Sequence, residues 1–273
     1  MLREIADFRA EAEALGAVLA ALGEAEWRQP TQFKGWTIDD VVLHLHFGDQ
    51  LAAASVADPP AFQRLLGDVR AKRASGLTSI EETRLRYGAL GGGELLAAWH
   101  EQVQRLCGLL EQCDPEQRLE WAGPDMGVRM FTTARLMETW AHGQEVLDTL
   151  GLDRAPTDRL HGIATIGVRT FGWTFANRGL PVPAPVPHVR LDAPSGAVWA
   201  WQPPSTTDVV AGSALEFCQV VTQVRNVADT RLTVAGDAAR SWMRIAQCFA
   251  GLPESPPMPG ARFMQPRRQL LPK

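Results

Sequence analysis

The sequence predicts an α+β protein with an N-terminal up-and-down four-helix bundle followed by a small α+β C-terminal domain. Three features support this fold class. Apolar residues recur at helical spacing through most of the first 155 residues. The run PVPAPVP at 181–187 is a stiff spacer of the kind that separates domains. Beyond it, the apolar pattern changes to the alternation that is typical of strands.

Helical periodicity begins at the N-terminus and covers about 2–23. Thr37 opens the next helix, because Asp40 stands three residues later in the position of a capping-box acid. The pattern then predicts one or two short helices over about 60–87, interrupted by GALGGGE, and a longer one over about 94–112. After the irregular segment LEWAGPDMGVRM, a strong helix is predicted from about 132 to 150, ending at Gly151.

A further helix is expected over about 157–177, before the proline-rich spacer. VRLDAPSGAVWAWQP then predicts a hairpin, followed by a helix near 213–223, a strand at RLTVAG and a last helix near 237–250. The resulting domain division is a helical bundle at 1–155, a connecting helix and spacer at 156–186, an α+β domain at 187–252 and a proline-rich tail at 253–273.

The composition excludes several classes of protein. Hydrophobic residues make up 45% and charged residues 21%, as in folded globular proteins, and the net charge of -4 gives no footprint for nucleic acid. No basic run predicts membrane binding, and the charged start MLREIADFRAEAEAL does not resemble a signal peptide, so we expect a cytoplasmic protein. The four cysteines form no C-x-x-C pair and are expected to be buried as small hydrophobic residues. The oligomeric state stays open between monomer and homodimer.

The most informative pair is Glu138 and His142 in METWAHGQEV. Residues four apart lie on one helical face, so this carboxylate and imidazole can reach one ion from the same side. The alternative is a surface salt bridge, since this pairing is common by chance. The segment is otherwise mostly apolar, which argues against a freely solvated helix.

A third candidate ligand comes from FKGWTIDDVVLHLHFGD. The apolar neighbours Val41 and Leu45 indicate that His44 points inward, although an inward histidine is more often an ordinary core residue. His46 lies about 200° further around the helix, so the two histidines cannot both face one ion. These residues alone leave open which of the two is the ligand.

Both motifs resemble those of the mycothiol-dependent maleylpyruvate isomerase family, whose N-terminal half belongs to the DinB-like metal-binding four-helix bundles. GWTIDDVVLHL is similar to the family's Gly-Trp-Ser/Thr, an acid and an Ala-His-Leu-like triplet, and ETWAHGQEV to its Glu-x-x-x-His-x-x-Asp/Glu-Val. The resemblance implies that His44 rather than His46 joins Glu138 and His142 as a metal ligand. It extends over nearly the whole chain, because the family also has a C-terminal domain related to sterol-carrier folds.

Two histidines and one carboxylate are typical of a catalytic zinc site with room for water or substrate, although iron(II) accepts the same ligands. A low-molecular-weight thiol such as mycothiol, bound as thiolate, fits the fourth position. Residues that could orient the imidazoles are Asp39, Asp40 and Gln144. The resemblance also implies an arginine from the C-terminal domain that binds a carboxylate, for which Arg225 fits the family position better than Arg231.

The sequence therefore predicts a metal- and thiol-dependent isomerase or transferase that acts on a small anionic organic substrate. Two alternatives stay open: a non-catalytic metal- and ligand-binding protein of the DinB-like group, and a zinc-dependent hydrolase. The hydrolase would need a general base near the metal-bound water, and the sequence identifies none.

Overall fold

The computed structural model describes residues 2–266 and divides the chain into two units, Met1–Thr149 and Leu150–Lys273. The first unit is helical and the second combines a small sheet with short helices, so the predicted α+β class with an N-terminal helical bundle is confirmed. Within the described residues, no helix is both long enough and apolar enough to cross a membrane. The division at 155, 186 and 252 stays a prediction.

The described part of the first unit contains five helices of 16 residues or more, with shorter elements between them. Its helices are α1 (Arg3–Leu19), α2 (Glu24–Trp27), α3 (Ile38–Ala57), α4 (Pro59–Ala74), α5 (Ser79–Tyr87), α6 (Gly92–Glu111) and α7 (Val128–Leu150). Two strands of two residues each, β1 (Arg118–Leu119) and β2 (Met126–Gly127), pair antiparallel at the segment for which the sequence predicted no regular structure. Helix α6 packs against both α1 and α3.

Two local features explain where the long helices begin and what holds them together. Thr37 caps α3 as predicted: its hydroxyl accepts from the Asp40 amide at 3.2 Å, and the Asp40 carboxylate accepts from the Thr37 amide at 2.9 Å. The core between the helices is formed by fully buried apolar side chains, among them Ile5, Phe8, Val41, Leu45, Trp99, Leu106, Val128 and Leu136. Helix α7 is buried over almost its whole length, which matches its weakly polar sequence.

The second unit contains a four-stranded sheet with strand order β4-β3-β5-β6. Its elements are α8 (Leu160–Arg169), α9 (Phe171–Ala176), β3 (His188–Asp192), β4 (Val198–Trp201), β5 (Val209–Ser213), α10 (Ala214–Val221), β6 (Thr233–Ala235) and α11 (Asp237–Met243). The predicted hairpin is present as β3 and β4, which pair antiparallel. Strand β5 was not predicted; it pairs parallel with β3 and antiparallel with β6.

Three C-terminal expectations differ in detail from the structure. The helix expected at 157–177 is two helices that break at Thr170, where the backbone adopts φ -91° and ψ 11°. The last helix ends at Met243 rather than near 250. The described part of the tail has no helix or strand and is tied to the second unit where the Asn226 amide donates to the Pro257 carbonyl. Residues 267–273 of the predicted tail lie outside the described residues.

Candidate metal centre

His44, Glu138 and His142 meet between α3 and α7 in the first unit. The Glu138 Oε2 atom lies 3.5 Å from His142 Nε2 and 3.8 Å from His44 Nε2. The two imidazole rings have centroids 4.7 Å apart. One ligand atom from each residue falls within 4.8 Å of the other two, so the three side chains converge on one point.

Helical spacing accounts for this convergence. Glu138 and His142 are one turn apart on α7, so both project from the same side of that helix. His44 projects from α3, the other helix that borders the site. His46, the alternative ligand, lies on another side of α3, where its Nε2 is 2.9 Å from the Gln50 amide and its ring packs against Tyr87. The structure thus separates the two histidines, and His44 is the one beside Glu138.

A buried acid, Glu145, fixes the orientation of His142. Its Oε2 atom is 2.9 Å from His142 Nδ1, and its side chain is 6% exposed. A proton on Nδ1 satisfies this bond and leaves Nε2, which faces Glu138, free to bind an ion. Glu145 is the second acid of the motif Glu-x-x-x-His-x-x-Asp/Glu-Val, but sequence reasoning gave it no role, although its position three residues after His142 puts it on the same helical face.

The side chains that were expected to orient the imidazoles have other partners. Asp39 accepts a hydrogen bond from the Gly92 amide at 2.7 Å. Asp40 completes the cap of α3 and forms an ion pair with Arg84 at 2.5 Å. Gln144 donates to Asp148 at 2.9 Å. In the described contacts, the imidazole-orienting role falls to Glu145 instead.

An aromatic wall formed by Phe33 and Trp36 covers one side of the histidines. The Phe33 ring meets the His142 ring edge-on at 5.3 Å. The Trp36 ring lies nearly parallel to the His142 ring, with centroids 6.2 Å apart, and is 5.4 Å from the His44 ring. Trp36 is itself 9% exposed, so this wall shields one side of the imidazoles from water.

The wall is held by a tight turn in QPTQFKGW. The Thr31 amide donates to the Trp36 carbonyl at 2.7 Å, and the Trp36 amide donates to the Phe33 carbonyl at 2.9 Å. Lys34 and Gly35 both adopt positive φ angles, 52° and 69°, which lets the chain reverse in so few residues. The ring positions therefore follow from a hydrogen-bonded loop rather than from packing alone.

The charges of the cluster differ from those of free side chains. Burial would raise the pKa of Glu138, but the adjacent His142 and His44 outweigh it and hold that pKa well below its usual range. Burial lowers the pKa of His44. Burial alone would also lower the pKa of His142, but the Glu145 and Glu138 carboxylates raise it to about 9. At neutral pH the metal-free cluster thus holds an ionised Glu138 beside a protonated His142, whose proton a bound cation must displace.

The residues present fit a zinc-like ion. Two atoms bound to zinc at about 2.0–2.1 Å in tetrahedral geometry lie roughly 3.3–3.4 Å apart. The 3.5 and 3.8 Å separations around Glu138 are close to this value and too long for strong hydrogen bonds. The His44 and Glu138 side chains are 29% and 23% exposed, whereas His142 is 9% exposed. A ligand from solution can therefore approach from the side of His44 and Glu138.

The two arginines considered for substrate binding lie in the second unit. Arg225 follows α10 and donates from Nη1 to the Val224 carbonyl at 2.8 Å. Arg231 is exposed, and its Nε atom is 3.3 Å from the Glu216 carboxylate. The role of Arg225 as a carboxylate-binding residue stays a prediction.

A cavity of about 790 Å³ opens elsewhere in the first unit, near the beginnings of α3 and α6. Thr37, Asp39 and Arg84 are among its lining residues, together with the glycine-rich segment that precedes α6. His44, Glu138 and His142 do not line it. The convergent imidazoles and carboxylate, rather than this cavity, therefore mark the candidate centre.

Comparisons with known proteins agree with the sequence resemblance. The family model "Mycothiol maleylpyruvate isomerase N-terminal domain" matches residues 8–147. Two uncharacterized proteins of Mycobacterium tuberculosis, from strains CDC 1551 / Oshkosh and ATCC 25618 / H37Rv, are each 39% identical over 249 residues, which is 91% of this chain and 96% of theirs. Among solved structures, the mycothiol-dependent maleylpyruvate isomerase and a histidine-to-alanine mutant of it are 16% and 17% identical, with TM-scores of 0.49, over 80% of this chain and 87% of theirs.

Proposed function

The chain belongs to the family of the mycothiol maleylpyruvate isomerase N-terminal domain, and from this membership and the site geometry we propose that it is a metal- and thiol-dependent isomerase. The substrate is a small anionic organic molecule of the maleylpyruvate type, the metal is zinc and the thiol is mycothiol. It acts in the cytoplasm, without nucleic acid or membrane as a partner.

The observation that carries the proposal is the convergence of His44, Glu138 and His142 within 4.8 Å. Two neutral imidazoles and one carboxylate form a three-ligand set that leaves a position for an exchangeable ligand, as catalytic zinc sites do. The exposure of His44 and Glu138 supports access to that position. A purely structural site would instead be closed by a fourth protein ligand.

The metal ion and the thiol would supply the reactive chemistry. A divalent ion at this site stabilises a bound thiol as thiolate at neutral pH. Such a thiolate would supply reversible addition to a conjugated carbon–carbon double bond, the chemistry that a cis-to-trans isomerisation needs.

The chain's own residues would prepare this chemistry. Glu145 keeps the His142 proton on Nδ1, so that Nε2 is directed toward the ion. Phe33 and Trp36 exclude water from one side of the site, which strengthens the electrostatic interactions inside it. Arg225 is proposed to bind a substrate carboxylate.

The proposal is tested by following the cis-to-trans isomerisation of maleylpyruvate by absorbance, using zinc-loaded protein with and without mycothiol. We expect product only when both zinc and mycothiol are present. Arg225→Ala should raise KM about tenfold or more with a smaller effect on kcat, as for the loss of a charged hydrogen bond. Arg231→Ala is the matched control, because Arg231 already pairs with Glu216 at an exposed position.

Calorimetry of mycothiol binding separates the parts of the proposal. If protein with a full complement of zinc neither binds mycothiol nor isomerises maleylpyruvate, the thiol-dependent activity is refuted although the metal site stands. If it binds mycothiol but does not turn over maleylpyruvate, the substrate is wrong.

A further inference from the structure

A second charged cluster lies on the same two helices as the metal centre. The Arg135 Nε atom donates to Asp49 Oδ1 at 2.9 Å, and the Trp99 indole donates to Asp49 Oδ2 at 3.0 Å. The Arg135 and Asp49 side chains are 5% and 0% exposed. Asp49 belongs to α3 and Arg135 to α7, so this buried ion pair links the helix of His44 to the helix of Glu138 and His142.

The backbone of α3 is shaped to receive the Arg135 guanidinium. A Cβ atom at Gly48 would lie 2.8 Å from Arg135 Nη2 and 3.1 Å from its Cζ, so only glycine allows this close approach without a shift. The Gln102 amide donates to the Asp49 carbonyl at 3.1 Å, which ties the same turn of α3 to α6. The position of the guanidinium is thus determined from several sides.

The cluster and the metal centre are one helical turn apart. Arg135 precedes Glu138 by three residues on α7, the spacing at which helical side chains meet. Gly48 follows His44 by four residues on α3. Glu138 is therefore an acid within reach of the Arg135 side chain should Asp49 no longer hold it. A buried guanidinium without an acid is strongly unfavourable, so it will take another carboxylate if one is near.

We propose that Asp49 is a positioning residue for the metal centre. By binding Arg135 across α3, it keeps the guanidinium away from Glu138 and leaves that carboxylate available for the ion. This inference rests on the proposed metal-binding function and deepens it, because it explains why a site with a buried arginine one turn away can still bind a cation.

The test compares zinc affinity, measured by competition with a chelator, for the wild type, Asp49→Asn and the double variant Asp49→Asn/Arg135→Met. Asp49→Asn should weaken zinc binding about tenfold or more, because Arg135 then engages Glu138. The double variant lacks both charges of the Asp49–Arg135 pair and should regain affinity to within about threefold of the wild type. Glu82→Gln is the matched control, since it removes another buried acid, 2.6 Å from Arg86, and should leave zinc affinity unchanged.

Two affinity results would overturn the proposal: wild-type affinity in Asp49→Asn, or a double variant that stays as weak as the single one. The second result would mean that the pair only stabilises the fold. If the single variant does not fold, weak zinc affinity in the double variant refutes the proposal on its own.

A crystal structure of metal-free Asp49→Asn gives a reading that does not depend on zinc. The inference expects the Arg135 guanidinium within hydrogen-bonding distance of Glu138. An unchanged Arg135 would overturn the inference. If the wild type binds no zinc, the proposed function fails, while this structure still decides whether Asp49 restrains Arg135.

Discussion

Replacing Glu145 by alanine separates two effects of this acid on metal binding. Glu145 orients the His142 ring through the 2.9 Å contact at Nδ1, and its charge raises the pKa of His142 to about 9. Orientation favours metal binding, whereas the raised pKa opposes it, because the ion must displace a proton from the imidazolium. The two effects depend differently on pH.

The magnitudes follow from the structure. At pH 7, displacing a proton from a histidine of pKa about 9 costs about 2.7 kcal/mol, or about 100-fold in affinity. The variant loses much of this cost, since its His142 pKa falls toward the ordinary value, although Glu138 still raises it. Loss of an orienting partner costs about 10–100-fold at any pH. We therefore expect Glu145→Ala to weaken zinc binding about 10–100-fold at pH 9 and much less at pH 7, where the two effects oppose each other.

The assay is chelator competition for zinc at several pH values from 7 to 9, combined with calorimetry in buffers of different ionisation enthalpy. The wild type should release about one proton per zinc at pH 7, because the lowered pKa values of His44 and Glu138 leave His142 as the protonated ligand. Asp148→Asn, a buried acid on the same helix that binds Gln144, serves as the control and should leave both quantities unchanged. A ratio of wild-type to Glu145→Ala affinity that is constant with pH would refute the reasoning.

Three further predictions concern the ligand choice and the folding of each unit. His46→Ala should retain zinc, because His46 contacts Gln50 rather than Glu138, while unfolding in urea should show a loss of about 1–3 kcal/mol; loss of zinc without unfolding would contradict this. Thr37→Ala should lower the free energy of unfolding by about 1 kcal/mol through loss of the cap, and an unchanged urea midpoint would refute it. Gly236→Ala should destabilise the second unit by more than about 2 kcal/mol in calorimetry, since a Cβ there would lie 2.2 Å from the Thr207 carbonyl at a φ of 87°; an unchanged melting temperature would show that the turn can relax.

Local signals made the helical bundle predictable. Thr37 and Asp40 form a capping box that depends only on neighbouring residues, and the structure has it as expected. The hairpin of β3 and β4 was also local, because a short turn joins two alternating segments. Such features are determined within a few residues, so the sequence pattern alone identifies them.

Strand β5 shows why other elements of the fold could not be predicted from the sequence pattern. Val209–Ser213 is short and has no clear apolar alternation, and its partners β3 and β6 lie far away along the chain. Its parallel pairing with β3 comes from the tertiary fold rather than from a local turn. The break at Thr170, where the backbone adopts φ -91° and ψ 11°, is likewise not revealed by helical periodicity.

The residues of the candidate centre likewise fall into some that local spacing predicted and others that it did not. The spacing of Glu138 and His142 predicts a shared face, but the residues around His44 and His46 left the third ligand open until the family resemblance was considered. Asp39, Asp40 and Gln144 were expected to orient the imidazoles, but each has another partner. Asp39 accepts from the Gly92 amide, Asp40 caps α3, and Gln144 donates to Asp148. The helical spacing of Glu145 from His142 was the signal that could have identified the orienting acid.

The central claim is that His44, Glu138 and His142 together bind one metal ion. Elemental analysis by mass spectrometry of the purified wild type beside His44→Ala, Glu138→Gln and His142→Ala tests it most directly. The account predicts close to one zinc per chain in the wild type and its loss in each folded variant. A wild type without metal after zinc soaking, or variants that retain full zinc, would contradict the claim.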